Sequence, residues 1–180
     1  MGDPESLAAL TPGDAGEVLT LQRAAFVTEA QAHHDLHIPP LTQTLDDLHA
    51  ELGEQACHGW GVRESGRLVG CVRAHVSGDA AELLRLVVAP DRQGRGIGTR
   101  LLLAAEELLP PQVRTLSLFT GQHSDANLRL YRRHGYRQTH TTEAGGYLLV
   151  HLVKRRPHRD GAAPRPRRGG AAAISGPGRS

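Results

Sequence analysis

The chain has 180 residues, 39% of them hydrophobic, which is enough for one domain with a sizeable buried core. No apolar run is long enough to span a bilayer, and the first residues lack the basic start and apolar stretch of a secretory signal. The two cysteines, Cys57 and Cys71, are too few for a disulfide-rich scaffold and fit small buried side chains in a reducing compartment. These features predict a soluble protein of the cytoplasm.

The formal net charge of +2 is unevenly distributed along the chain. Residues 155–180 hold seven arginines and one aspartate, a contribution of +6, which leaves −4 for residues 1–154. The final segment is rich in Arg, Pro, Gly and Ala and has no periodicity, so we predict one domain at 1–154 and a disordered tail at 155–180. A nucleic-acid role for the tail is disfavoured because no aromatic platform accompanies the arginines. The mildly acidic domain favours a cationic acceptor such as an amine.

Hydrophobic periodicity and turn residues predict a strand, two helices and a hairpin in the first part of the chain. In chain order these are a strand at 7–10, a helix from the cap at Asp14 to about Ala32, a helix at 45–52, and strands at 60–64 and 68–76. Between the helices, residues 33–40 contain three histidines and two prolines. The prolines should keep this segment extended or turned, and the histidine spacing does not match a metal site.

A strand, a glycine-rich turn and a helix follow one another between residues 82 and 108. Residues 82–88 are nearly all apolar and predict a central strand covered on both faces. Pro90 ends the strand, and Gly94, Gly96 and Gly98 precede a helix whose apolar residues recur at helical spacing. Such a turn presents unpaired N–H groups and the positive end of the helix dipole, which predicts a phosphate or pyrophosphate ligand. The alternative is a tight connection that needs flexible residues.

Two common phosphate-binding motifs fit this turn badly. A dinucleotide fingerprint requires G-x-G-x-x-G, whereas here the third glycine comes one residue early and no acidic residue follows about twenty positions later. A P-loop requires Gly-Lys-Ser/Thr, and the turn contains no lysine.

The remaining elements predict a mixed α/β fold. They are a strand at 113–119, a helix at 125–134 that Gly135 ends, and strands at 137–142 and 147–154. The crossover through the helix after Gly98 makes strands 82–88 and 113–119 parallel neighbours. The sheet is therefore expected to begin as an antiparallel meander and to contain two central parallel strands.

Two segments resemble motifs of one family. Gln93–Gly98, reading QGRGIG after a strand that ends in Val-x-Pro, resembles the Q/R-x-x-G-x-G/A motif of the GNAT superfamily of N-acetyltransferases. Residues 124–136 resemble the family's downstream N-x-x-A-x-x-L-Y-x-x-x-G-F/Y element, with Ser124 in place of the asparagine and Asn127 in place of the alanine. The resemblance covers roughly residues 5–154 and is specific over 82–136.

The resemblance implies a sheet splayed between its two central parallel strands, with acetyl-coenzyme A as cosubstrate in the splay and no metal. The glycine turn would hold the pyrophosphate, and backbone N–H groups of the strand would polarise the thioester carbonyl. Ser124 would cap its helix and bond to the cofactor. The segment 33–40 resembles a substrate lid. The implied cofactor-binding residues are Leu86, Val87, Val88, Gln93, Gly94, Arg95, Gly96, Ile97, Gly98, Thr99, Ser124 and Asn127.

Two catalytic residues follow from the same resemblance. Tyr131 matches the tyrosine that the family uses as general acid to the thiolate, and Glu82 matches its strand glutamate, a general base. Glu82 shares side-chain parity with Leu86 and Val88 in a regular strand, but lies about 13 Å from Leu86, so it would act through water. The alternatives are a core tyrosine and a solvated or Arg85-paired glutamate.

The implied function is N-acetyltransfer from acetyl-coenzyme A to a primary amine by direct attack in a ternary complex. The alternative is a catalytically weak or inactive acyl-coenzyme-A-binding sensor. The sequence leaves the acceptor and the oligomeric state open, because acceptor pockets are built from loops that no motif describes.

Overall fold

The computed structural model describes residues 6–157, and they form a mixed seven-stranded sheet in the order β1-β2-β3-β4-β5-β7-β6. The β4–β5 pair is parallel and the remaining neighbours are antiparallel, which confirms the predicted fold class. The strands are β1 Ser6–Ala9, β2 Cys57–Glu64, β3 Arg67–Ser77, β4 Ala80–Val88, β5 Thr115–Gly121, β6 Arg137–Ala144 and β7 Tyr147–Arg155.

Helices cover both faces of the sheet. They are α1 Ala15–His33, α2 Pro39–Thr42, α3 Leu45–Gly53, α4 Ile97–Leu108 and α5 Asp125–Arg133. Helices α1 and α3 lie on the face that carries the Arg73 side chain, whereas α4 packs on the opposite face at Gly70. A Cβ atom at Gly70 would lie 2.8 Å from Ile97 Cγ2, so this position needs glycine for α4 to approach the sheet.

Helix α2 differs from the prediction that the two prolines keep residues 33–40 extended or turned. Pro39 and Pro40 instead occupy the first turn of α2, and the N–H of Leu41 donates to the carbonyl of Ile38. Proline is well suited to this place because the first N–H groups of a helix have no intrahelical acceptor and the fixed φ is already helical.

The two parallel strands are paired over a short distance only. Their ladder runs from Ala80–Thr115 to Glu82–Ser117, although β4 continues to Val88 and β5 to Gly121. Beyond Glu82 the strands diverge, so the sheet is splayed where the resemblance implied. The β5-facing main-chain groups of residues 83–88 consequently open onto the gap between the strands.

A β-bulge interrupts β4 inside the splay. Leu84 pairs with Arg73 and Val87 with Cys71, so β4 carries one residue more than β3 between these pairs. Arg85 has the left-handed φ of 53°, which non-glycine residues seldom adopt. The extra residue reverses side-chain parity, so the expectation that Glu82 and Val88 share a face is wrong: Glu82 pairs with His75, and Val88 with Gly70 on the other face.

A buried polar network ties the first helices to β3. Arg73 Nη2 donates to Gln22 Oε1 at 2.9 Å, and Gln22 Nε2 donates to the Pro40 carbonyl at 2.9 Å. Gln43 Nε2 donates to Glu51 Oε2 at 2.7 Å, while Glu51 Oε1 lies 2.9 Å from Arg73 Nε. The network thereby fixes α1, α2 and α3 over the centre of the sheet.

The cysteines and the end of the chain complete the fold. Cys57 and Cys71 are free, on β2 and β3, and burial raises the pKa of their thiols to about 11 and about 12.

Strand β7 runs to Arg155, and Arg156 donates to main-chain carbonyls after α4, so ordered contacts pass the predicted boundary at 154. Most of the predicted tail, residues 158–180, lies outside the described residues. No helix within 6–157 is long and apolar enough to cross a membrane.

Candidate functional site

The splay continues into a groove with a volume of about 840 Å³. One wall is the end of β4 and the glycine turn, and the other is the start of α5, with α1 at its inner side. The lining residues that the sequence had singled out are Leu86, Val87, Val88, Gln93, Gly94, Gly96, Ile97, Gly98, Thr99, Ser124 and Asn127. Arg95 is exposed in the same turn but is not part of this lining.

The turn between β4 and α4 exposes main-chain N–H groups to the groove. Gly94 and Gly96 have left-handed φ values of 75° and 84°, and a Cβ atom at either would meet no heavy atom within 4 Å. The first intrahelical bond of α4 runs from Arg100 N–H to the Gly96 carbonyl at 3.0 Å, so earlier N–H groups lie at the open helix end. The positive end of the helix dipole adds to them, and the turn is therefore suited to an anion.

Ion pairs hold this turn against the β2–β3 hairpin. Arg67 donates to both Asp91 oxygens at 2.8 and 2.9 Å, and this hydrogen bonding lowers the pKa of Asp91 to about 2. Arg92 Nε donates to Glu64 Oε2 at 2.6 Å. The side-chain amide of Gln93 donates to the Val88 carbonyl at 3.3 Å, which links the turn to the end of β4.

A second cavity, with a volume of about 220 Å³, adjoins the groove. Its lining is mostly aliphatic and aromatic, and Glu29 and Arg85 are the charged residues in it. The apolar lining residues include Phe26, Ile38, Pro39, Pro40, Leu83, Leu84, Leu102, Leu118, Phe119, Tyr147 and Leu149. Ile38 to Pro40 belong to the segment that resembles a substrate lid.

The two cavities share part of their walls. Phe26, Glu29, Leu86 and Asn127 line both of them. Arg85 and Tyr131 line the smaller cavity and are absent from the lining of the groove. Asn127, at the position where the family has alanine, therefore lies at the junction between a groove suited to a phosphate ligand and a small apolar cavity.

Two titratable groups of the smaller cavity are electrostatically coupled. Burial raises the pKa of the Glu29 carboxyl, an effect that Arg85 and the Gly121 N–H oppose. Burial, and secondly the negative charge of Glu29, raise the pKa of the Tyr131 phenol, whose side chain is 5% exposed. The Tyr131 ring packs edge-on against Tyr136 with centroids 5.9 Å apart. Tyr131 thus remains protonated at neutral pH.

Two other predicted residues lie differently from expectation. Glu82 is exposed, forms the last β4–β5 pair with Ser117, and lines neither cavity. Ser124 precedes α5, but its hydroxyl accepts no capping hydrogen bond; its backbone carbonyl instead accepts from Leu128 N–H at 2.9 Å.

Phe26, Glu29 and Arg85 were missed by the sequence analysis. Phe26 and Glu29 are three residues apart on α1 and so share a helix face, but no motif marks them. Arg85 had a visible signal, because it is the one charge between Leu83 and Val88 in an otherwise apolar strand. A charge at such a position is expected to face a cavity or a partner.

A cluster of possible metal ligands lies outside these cavities. One ligand atom each of Glu51, Cys57 and His75 lie within 4.8 Å of one another. Both Glu51 oxygens already contact Arg73 and Gln43, and the neighbouring guanidinium opposes a cation. We therefore assign no metal site to this cluster.

A mixed sheet splayed between two parallel strands, with a glycine turn and a helix N-terminus beside the splay, defines an acyltransferase-type α/β architecture. A family model described as "Acetyltransferase (GNAT) family" matches residues 20–136. The chain belongs to this family.

Individual relatives are distant. The chain is 26% identical over 145 residues to UPF0157 protein YqkA of Bacillus subtilis, covering 81% of this chain and 41% of that protein, so it spans about two fifths of that relative. Its fold is similar to PaiA N-acetyltransferase of Thermoplasma acidophilum in complex with coenzyme A, with TM-score 0.70, 16% identity and 83% and 98% of the two chains covered. The ribosomal-protein-S18-alanine N-acetyltransferase of Escherichia coli gives TM-score 0.69, 19% identity and 84% and 94% coverage.

Proposed function

We propose that the protein transfers an acetyl group from acetyl-coenzyme A to a primary amine by direct attack within a ternary complex. The observation that carries this proposal is the junction of the two cavities at Leu86 and Asn127. A thioester at the inner end of the groove would meet, at this junction, an amine held in the smaller cavity. Proximity of this kind replaces a bimolecular encounter by a reaction between neighbouring bound groups.

The groove fits acetyl-coenzyme A at its anionic part. The N–H groups of the turn from Gln93 to Thr99 would bind the pyrophosphate, because the left-handed glycines leave open space above the backbone. Arg95, exposed in the same turn, would add positive charge near the phosphates. Val87 and Val88, together with Ser124 across the groove, would border the remainder of the cofactor.

The carbonyl of the thioester would be polarised by β4. Because the β4–β5 ladder ends at Glu82 while β4 remains paired with β3, the main-chain N–H groups of Leu86 to Val88 that point away from β3 can donate into the groove. Donors fixed by the bulge are already oriented when charge develops on the carbonyl oxygen, and this is the condition for oxyanion stabilisation.

We assign the general base to Glu29 rather than to Glu82. Glu29 lines both cavities, whereas Glu82 is exposed on a strand position outside them. A raised carboxyl pKa brings Glu29 closer to the operating pH and makes it a stronger base than an exposed glutamate. The carboxylate would accept the proton that the amine nitrogen loses as it bonds to the acetyl carbon.

We assign the general acid to Tyr131. Tyr131 lines the smaller cavity, and its phenol stays protonated because burial and Glu29 raise its pKa. As the carbon–sulfur bond breaks, this proton would pass to the sulfur. The amine proton is then on Glu29, the acetyl group is on nitrogen and the thiol holds the proton from Tyr131; return of the Glu29 proton to the Tyr131 phenolate would restore both groups.

Release of free thiol from acetyl-coenzyme A tests the proposal. The panel should contain an aliphatic amine, a diamine, an amino acid and a lysine peptide, and coenzyme A binding should be measured in parallel by calorimetry. Acceptor-dependent thiol release with matching N-acetyl product supports the enzyme. Coenzyme A binding without release for any amine identifies the acyl-coenzyme-A sensor instead, and absence of binding refutes both.

A further inference from the structure

The smaller cavity carries two opposite charges in an apolar setting. Glu29 and Arg85 line it together, and the remaining lining is predominantly aliphatic and aromatic. Glu29 attracts the Arg85 guanidinium electrostatically; an uncharged amine would add no anionic group beside Arg85, and a diamine would bring a second cation towards it. The charges of a zwitterion match both groups.

The positions of the two charges differ with respect to the groove. Glu29 lines the groove as well as the smaller cavity, whereas Arg85 lines the smaller cavity alone. The amine of an acceptor must reach the thioester, so the amine end belongs beside Glu29. An anionic group of the same molecule would then extend away from the groove towards Arg85.

Arg85 lies at the bulge of β4, where the strand borders this cavity. Arg85 is the bulge residue with left-handed φ, it lines the cavity together with its neighbours Leu83, Leu84 and Leu86, and its guanidinium lies over the Phe26 ring of α1. The left-handed backbone of Arg85 is a strained conformation for a non-glycine residue. Strain of this kind is concentrated at binding and catalytic sites, where a side chain has to be aimed.

Helix α1 supplies the opposite wall for the guanidinium. Arg85 Cζ lies 6.0 Å from the centroid of the Phe26 ring, and Phe26 is one helical turn from Glu29. The aromatic face orients the planar guanidinium without neutralising it, so an incoming carboxylate still has a charged partner. A volume of about 220 Å³ suits one small molecule rather than a peptide chain.

We propose that the acceptor is a small amino-carboxylate with an apolar side chain, such as a free aliphatic or aromatic amino acid, whose carboxylate pairs with Arg85. This inference rests on the proposed acetyltransferase function and specifies the acceptor of the same site. Arg85 is accordingly a specificity residue, since its guanidinium contacts the part of the acceptor that does not react.

Three acceptors that differ at one group test the proposal. They are L-leucine, leucinamide and isoamylamine. On the carbon that bears the amine, the first carries a carboxylate, the second a neutral amide and the third only hydrogen in that place. The kcat/KM for thiol release should be compared per neutral amine. We expect L-leucine to exceed the other two by at least about tenfold, the effect of one charge-assisted hydrogen-bonded pair.

Variants at Arg85 test whether this residue causes the preference for L-leucine over isoamylamine. Within the Arg85→Gln variant, kcat/KM for L-leucine should fall to the value that the same variant shows with isoamylamine, and Arg85→Lys should restore part of the difference. Arg137→Gln, which removes an exposed arginine of β6, is the matched control and should keep the preference.

Binding separates failure of this inference from failure of the enzyme. L-leucine should bind the coenzyme A complex in calorimetry, and Arg85→Gln should abolish this binding even if no turnover is detected. Equal kcat/KM for L-leucine and isoamylamine, or no Arg85-dependent binding of L-leucine, overturns the acceptor class. Thiol release with isoamylamine but not with L-leucine would overturn the acceptor class and leave the acetyltransferase proposal standing.

Discussion

Arg73 Nε lies 2.9 Å from Glu51 Oε1 beneath α1 and α3, in a pair whose arginine side chain is 1% exposed. Arg73 Nη1 has no hydrogen-bond partner among residues 6–157, so the carboxylate is important for this buried cation. We predict that Glu51→Gln lowers the free energy of unfolding by about 3 kcal/mol, because it leaves the guanidinium without its counter-charge.

Urea unfolding measures this change as a lower midpoint at unchanged slope. The double variant Glu51→Gln/Arg73→Met should lose less than the sum of the two single losses, since the second change removes the uncompensated charge. Additive losses would show that the pair is not a coupled unit.

Glycine at position 96 is predicted to be necessary for coenzyme A binding. Gly96→Val should weaken coenzyme A affinity by at least about tenfold, because a β-branched residue resists φ of 84° and obstructs the turn. Gly66→Val is the matched control, since Gly66 also has a left-handed φ, 81°, and open space, but lies in the β2–β3 hairpin. Calorimetry on both folded variants is decisive: equal affinities for coenzyme A would refute a role of Gly96 in binding the pyrophosphate.

The effect of removing a tyrosine hydroxyl on turnover can be compared between two rings that pack against each other, those of Tyr131 and Tyr136. Tyr131→Phe should lower turnover by at least about 100-fold and leave acetyl-coenzyme A affinity nearly unchanged, because it removes a proton donor but keeps the ring. Tyr136→Phe removes a buried hydroxyl outside both cavity linings and should retain turnover. A Tyr131→Phe enzyme within a few-fold of wild type, with chemistry rate-limiting, would leave Tyr131 as a core residue.

The raised pKa of Glu29 predicts a pH-dependent stability. Below the ordinary pKa of 4.5 the carboxyl is neutral in both folded and unfolded chains, so its burial has no charge cost there. As pH rises through the folded-state pKa, the buried carboxyl must ionise and the wild type loses stability. Glu29→Gln lacks this titration.

The free energies of unfolding of wild type and Glu29→Gln should therefore be compared between pH 4 and pH 8. We expect the wild type to lose stability relative to the variant as pH rises. A difference that is constant with pH, or that changes in the opposite sense, would show that the carboxyl is not desolvated in solution.

Arg156 is predicted to set the end of the folded domain. Its Nη1 donates to the carbonyls of Pro110 and Val113, each at 3.0 Å, and so ties the last strand to the loop after α4. Truncation after Lys154 should cost about 1–3 kcal/mol through these lost bonds. Truncation after Pro157 should leave the melting temperature nearly unchanged, because residues 158–180 offer few apolar side chains to bury. Equal melting temperatures of the two truncated chains would contradict the role of Arg156.

The sequence by itself determined the unit from Glu82 to Leu108. Its apolar run, Pro90, the left-handed glycines and the helical spacing after Ile97 all act within a few residues, where backbone sterics and local hydrogen bonding are sufficient. The crossover rule then made β4 and β5 parallel neighbours. The fold class and the position of the glycine turn followed from these local patterns.

Only the tertiary structure decided which side chains meet at the candidate site. The bulge at Arg85 arises from pairing with β3 and reverses the parity on which the expectation for Glu82 depended. Glu29 reaches both cavities because the buried Gln22–Arg73 contact fixes α1 over the splay. Strand register and helix docking are set by packing between distant segments, and one residue of shift exchanges the faces of a strand, so no local pattern could place Glu29 beside Arg85.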